Sequence, residues 1–375
     1  MLARRGTHPI RHQARLLALL AAAVLLAGCA ASGSPDTSAP PAEEAPEPDL
    51  DTSEPPAPDP DPGDDPDEVT EPPEDQQPAI DPAEVGADEL GLVPVLMYHQ
   101  LRDDGGGDFD LTPDELRAEL TYLFDEGYVP IRTIDLVRGD IDVPAGMSPV
   151  VLTFDDSTRS QAHLTDDGDL DPDTAMGILI DVARDYDDVE PIASLYVNTS
   201  SLFGGGADGP DIVIALHELG MEIGNHTHGH GRLDQRDDDG VQKELATHVA
   251  QMQEIDPDIE VATMALPLGQ HPENRELSAA GESDGTSYRN EGVLLVGAEP
   301  APSPFHADFN PLAIPRILSS PDASVVAGSA WWFEQIELGE TYSRYVSDGD
   351  PDTISFPEDR HAELDDALAD RANPY

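Results

Sequence analysis

From Leu92 onward, short apolar runs alternate with amphipathic stretches, and that rhythm limits the fold more than any other feature of the sequence. The runs "LVPVLMYH" (92–99), "YVPI" (128–131), "SPVVLTF" (148–154), "IASLYVN" (192–198), "MEIG" (221–224), "VATMALPL" (261–268), "EGVLLVGA" (291–298) and "LAIPRIL" (312–318) read as buried strands. Between them lie helical patterns. The clearest is "TPDELRAELTYLFDEGY" (112–128), with Thr112 as N-cap, Pro113 in the first turn, Glu115 closing a capping box, and Leu116, Leu120, Leu123 and Phe124 at helical spacing. Further helices are expected in "DTAMGILIDVARDY" (173–186), capped by Asp173, in "IVIALHELG" (212–220) and in "VQKELATHVAQMQEI" (241–255). Repeated βα units of this length imply a mainly parallel sheet, and so many strands with few spare helices fit a distorted (β/α) barrel in an α/β protein. In such a barrel the chemistry gathers at the C-terminal ends of the strands.

The chain ahead of that region has a different composition. Arg4, Arg5, Arg11 and Arg15 precede "LLALLAAAVLLAG", an apolar stretch too short to span a bilayer, so residues 1–29 read as a secretory signal. It ends in "LAGC" at Cys29, the only cysteine, which rules out an internal disulfide and resembles a bacterial lipobox. Acylation of Cys29 would anchor an extracytoplasmic lipoprotein to a membrane. Residues 30–90 contain no Lys or Arg and are rich in Pro, Asp, Glu, Ala and Ser, a composition that cannot bury enough apolar surface to fold and reads as a disordered stalk. The folded part is expected at 91–320, with 321–375 as a C-terminal appendage. Once the 20 acidic residues of the stalk and the four arginines of the signal are set aside, 57 acidic residues face 15 basic ones. That imbalance excludes binding nucleic acid by charge, and a monomer is expected.

Three short motifs end strands. "VVLTFDD" delivers the adjacent carboxylates Asp155 and Asp156, which leave a strand in different directions, so one can hold an ion while the other serves as a base. "NHTHGH" sets His226 and His230 four residues apart, the spacing of one face of a helical turn, with His228 turned elsewhere. Zinc accepts two histidines and a carboxylate and leaves a position for water. "ALPLG" (265–269) taken alone is only a turn.

In this order and spacing the motifs resemble the polysaccharide deacetylase family, the carbohydrate esterases that share the NodB homology domain, over roughly Val93 to Arg316. "VPVLMYHQL" and the helix at 112–128 look like the family's opening elements, "TFDD" is similar to its first motif and "EIGNHTHGH" to its second. The resemblance implies a barrel of that type and a metal-dependent hydrolase removing N-acetyl groups from an extracellular or cell-wall polysaccharide. It implies Asp155 as the general base; Asp156, His226 and His230 as ligands of one divalent ion, zinc; and the backbone N–H of Leu268 as oxyanion donor. Three features depart from the family. Ala265 stands where an arginine usually orients the catalytic aspartate, Ser157 replaces the glycine after the second aspartate, and "GVLLVGA" lacks the histidine that serves as general acid. His306 is the replacement expected, ahead of His271 and His99. A glycan O-acetyl esterase, or a glycan-binding relative without turnover, is the alternative implied.

Overall fold

The computed structural model describes residues 80–375 except Asp108 and Glu340. The expected signal, Cys29 and the stalk up to residue 79 lie outside the described residues. The described residues fall within one compact unit. Eight parallel strands make its main sheet: β1 Val95–Tyr98, β2 Tyr128–Ile131, β3 Ser148–Asp155, β4 Ser194–Val197, β5 Glu222–Asn225, β6 Thr263–Ala265, β7 Gly292–Leu294 and β8 Ile317–Leu318. The order across the sheet is β7-β6-β5-β4-β3-β1-β8. Val151 of β3 pairs with Val95 of β1 on one edge and with Ile131 of β2 on the other, so β2 flanks the first half of β3 on the edge that β4 takes along the second half. A parallel bridge from Leu294 to Ile314 joins the two edges of the curled sheet. The result is the distorted (β/α) barrel that the strand rhythm predicts.

The strands β1, β2, β3 and β4 are buried on both faces, which is why they read as mainly apolar runs. Alternate residues part to opposite faces. Val95, Val129, Ile131, Val151, Tyr196, Ala265 and Leu294 belong to one core cluster, whereas Leu96, Tyr98, Leu152, Phe154, Leu195 and Val197 pack with the helices. Those helices are α1 Pro113–Asp125, α2 Thr133–Arg138, α3 Ala175–Ala183, α4 Gly209–Glu218, α5 Asp238–Ile255 and α6 Ser329–Leu338. Thr112 and Glu115 form the expected capping box on α1. On α3 the cap is Thr174, whose hydroxyl accepts from Gly177 N–H at 3.2 Å, rather than Asp173. Asp173 lies one residue too early for its carboxylate to serve the first turn.

The ends of the described region also differ from expectation. Residues 82–85 form a helical turn and Ala87 and Leu90 are fully buried, so the fold begins before residue 91. The segment 321–375 packs into the same unit: Trp332 and Phe333 of α6 join the helix-side core, and Tyr345, Ile354 and Phe356 join the inner cluster. The helix-like "AELDDALADRA" is broken into two 3-10 segments, Glu358–Glu363 and Asp366–Arg371. Among the described residues no helix is long and apolar enough to cross a membrane.

Candidate active site

The site sits where β1, β3, β5 and β6 end. Asp155 is the last residue of β3 and shares the inward parity of Val151 and Thr153, so its carboxylate enters the barrel mouth, 2% exposed. The chain then turns sharply through Asp156 (φ 79°) and Ser157 (φ 45°), both in the left-handed region. Ser157 holds this conformation without a glycine because its hydroxyl accepts a hydrogen bond from Asn198 N–H at 3.1 Å. The corner swings the Asp156 carboxylate away from its neighbour and towards the loop after β5.

That loop is not helical. Thr227 (φ 67°) and His230 (φ 52°) bend it into a turn, so the four-residue histidine spacing works through a loop and not through a helix face. His226 Nε2 lies 3.3 Å and His230 Nε2 3.2 Å from Asp156 Oδ1. Ligand atoms held about 2.1 Å from a tetrahedral ion are separated by about 3.4 Å, so the spacing fits. His226 Nδ1–H donates to the carbonyl of Ala265 at 2.9 Å, which aims the lone pair of Nε2 at the cluster, and Asp156 Oδ1 is buried with no hydrogen-bond donor of its own. Two imidazole nitrogens and an unsatisfied carboxylate oxygen converging within 4.8 Å make a donor set suited to a divalent cation. His228 turns aside to Thr199 and Gln251.

Arg316 is the site residue that the sequence reading missed. It is fully buried, immediately before β8, and its guanidinium grips Asp155 with two bonds of 2.7 Å, while Nε–H donates to the carbonyl of Leu295 at 2.8 Å. The arginine absent at position 265 is thus supplied from the opposite edge of the sheet. "AIPRIL" carried the signal, a lone arginine inside an apolar strand. Burial alone would raise the Asp155 pKa, but Arg316, His226 and His99 outweigh it and hold the carboxyl well below its usual range. For Asp156, too, burial works upward and His226 and His230 prevail, leaving it lowered. Burial lowers His226, yet Asp155 and Asp156 overcome this and raise it; at His230 burial and His226 win and the pKa is lowered.

Around these groups lies a cleft of about 460 Å³ lined by His99, Gln100, Phe109, Asp110, Thr158, Leu268 and Val296. Leu268 is held at φ 56° and is 56% exposed at the rim. His99, the residue after β1, stacks obliquely on Phe109 with ring centroids 5.0 Å apart, and its buried Nδ1 has no hydrogen-bond partner. Burial, with Arg316 and His226, lowers its pKa against the pull of the two aspartates. The buried Gln161 amide donates to the backbone carbonyls of both His99 and Asp155, tying the ends of β1 and β3 together. His306 does not reach the cleft. Its neighbour Phe305 packs on Gly139 and Tyr345 at the N-terminal end of the strands, and His306 itself faces Glu363, so the general acid expected there is on the wrong face of the barrel. His271 lines a separate recess with Arg275 and Leu312.

Residues 142–283 match the profile of the family described as "Polysaccharide deacetylase". Over that segment, less than half of its length, the chain is similar to this family. No curated protein matches the chain. Among solved structures it is similar to a Bacillus anthracis protein assigned to the polysaccharide deacetylases (19% identity, TM-score 0.44, covering 60% of this chain and 64% of that one). It is also similar to the Streptococcus pyogenes deacetylase PplD, solved with acetate (20% identity, TM-score 0.48, 62% and 94%), and to a polysaccharide deacetylase from Bacillus cereus (20% identity, TM-score 0.46, 60% and 64%). The chain thus spans just under two thirds of the length of the two Bacillus proteins. The matched segment contains Asp155, Asp156, His226, His230 and Leu268, while His99 and Arg316 lie outside it, next to the strands Val95–Tyr98 and Ile317–Leu318.

Proposed function

We propose that the protein is a metal-dependent hydrolase that removes acetyl groups, N-acetyl in the first place, from a polysaccharide outside the cytoplasm. The observation that carries this reading is the convergence of Asp156, His226 and His230 beside a carboxylate, Asp155, that is ionised and fixed by Arg316. Asp156, His226 and His230 would hold the ion, which supplies polarisation of the acetyl carbonyl and water of near-neutral pKa. Asp155 would act as the base towards the attacking water, and the bidentate grip of Arg316 keeps its carboxylate ionised and aimed. The backbone N–H of Leu268 is the donor for the oxyanion as charge develops. His99, on the cleft wall beside the two aspartates, is the imidazole placed to protonate the leaving nitrogen; with its pKa lowered by burial it first has to take up a proton during the reaction. An amide needs that proton more than an ester does, so an acid in the cleft favours the N-acetyl reading over the O-acetyl one. Cys29, as a lipid anchor, and the proline- and acid-rich segment between it and residue 80, as a stalk, would hold the domain away from a membrane outside the cytoplasm.

Acetate release from N-acetylglucosamine oligomers and from O-acetylated xylan, with added zinc and with chelator, tests the proposal. Release that is abolished by chelation, and by Asp155→Asn in a protein that still binds the metal, supports it. Equal activity of the metal-free protein would sink it.

A further inference from the structure

The charges around the cleft are one-sided. Three strand-end loops that carry the site, 99–112, 156–174 and 226–238, hold thirteen acidic residues and four arginines. Each of those arginines is already engaged: Arg102 by Asp104 and Asp110, Arg159 by Asp208, Arg232 by Asp234 and Arg236 by Glu244. Arg316 is spent on Asp155. No lysine or arginine is among the residues lining the cleft. A divalent ion would add two positive charges, and Asp156 and Asp110 within the same cleft balance them. The exposed groups that remain at the mouth are apolar: Phe109 at 46%, Leu268 at 56% and Val296 at 43%. Apart from the ion it would hold, such a site offers a flat apolar contact to the face of a sugar ring and no cationic side chain to an anion along the rest of the strand.

On the reading of the site as a glycan deacetylase, we propose that the cleft selects acetylated glycans free of carboxylate, phosphate or sulfate groups, and that it attracts the amine-bearing strands its own reaction produces. Each acetyl group removed as acetate leaves an amine on the sugar, which is protonated near neutrality, so charge complementarity with the acidic rim grows as deacetylation proceeds. A negatively charged strand meets the opposite field, which focuses in a cleft and is screened by salt.

The test uses the full chain loaded with zinc. Acetate release is compared between N-acetylglucosamine hexamers and muramic-acid-containing glycan strands, whose alternate sugars carry a carboxylate, at low and high sodium chloride. Release from the neutral hexamer should be faster by about tenfold or more at low salt, with the gap closing as salt is added. Calorimetry on the chelated protein should show glucosamine hexamers binding more tightly than N-acetylglucosamine hexamers, again only at low salt. Asp110→Lys in the cleft wall should narrow both differences, whereas Asp181→Lys on the outer helix α3 should leave them unchanged. Faster release from the carboxylate-bearing strands, a preference insensitive to salt, or equal binding of the two hexamers would overturn the proposal. Absence of turnover on every substrate would instead overturn the hydrolase reading, and the calorimetry would still decide the charge preference.

Discussion

At the scale of single residues, the Arg316–Asp155 pair decides both stability and rate. Both partners are buried, so Arg316→Met leaves a carboxylate without its counter-charge and should cost about 3–5 kcal/mol of stability, read as a shift of the urea midpoint. The depressed Asp155 pKa fixes the sign of the acid response. The stability it contributes is fully present above the unfolded value of 3.8 and is withdrawn as pH falls below that value towards the lower folded pKa, so the metal-free protein should lose stability in that acid window and Arg316→Met should lose much less. His226 has the opposite sign. Its pKa is raised, so protons compete with the ion, and metal affinity measured by calorimetry should fall as pH drops through the raised value, with proton release on binding. His99→Ala should slow amide hydrolysis by about a hundredfold or more while affecting ester hydrolysis less, because removing a general acid costs most where the leaving group is poorest. Equal losses on amide and ester would remove His99 from the acid role.

Between residue and barrel lies the matter of how two strand ends are kept in register. β1 ends at Tyr98 and β3 at Asp155, and they bring His99 and Asp155 into one cleft only if the backbones hold their spacing. Pairing of Tyr98 with Phe154 sets the approach, and the Gln161 amide fastens both carbonyls just beyond it. Gln161→Leu leaves two buried carbonyls without that donor, a loss of about 1–3 kcal/mol. It should also lower kcat more than it raises KM, since the groups it positions act on the reaction and not on the bound sugar. A variant with unchanged kcat and lowered thermal stability would assign Gln161 to structure alone.

For the whole molecule, the C-terminal segment is structural. Residues 343–346 pair with 88–92 through backbone bonds, Arg360 is bound to Asp88, and the Tyr375 hydroxyl donates to the carbonyl of Ala87. Inside this clamp Glu89 is buried, with burial the main cause of its pKa rising to about 8, and Tyr345 and Ser355 donate to its carboxyl oxygens. Truncation after residue 320 would expose Val93, Val95 and the surroundings of Tyr128 and should abolish soluble, cooperatively folding protein, as followed by circular dichroism. A folded, metal-binding truncated chain would restore the picture of a separable appendage.

The sequence by itself determined the sheet and which polar residues stand at the ends of its strands. Parallel strands buried on both faces must read as apolar runs, and residues at strand ends fall at one mouth of a barrel, so "TFDD" and "NHTHGH" were legible before any coordinates. What it could not determine is which residues from distant strands share that mouth. Arg316 reaches Asp155 across 161 positions, and His99 and His306 look alike as strand-flanking histidines until the chain path puts one at the top and the other at the bottom. Local patterns fix which elements form and which way alternate side chains point. The meeting of β1, β3 and β8 is fixed by the closure of the sheet, a long-range event that no window of neighbouring residues records.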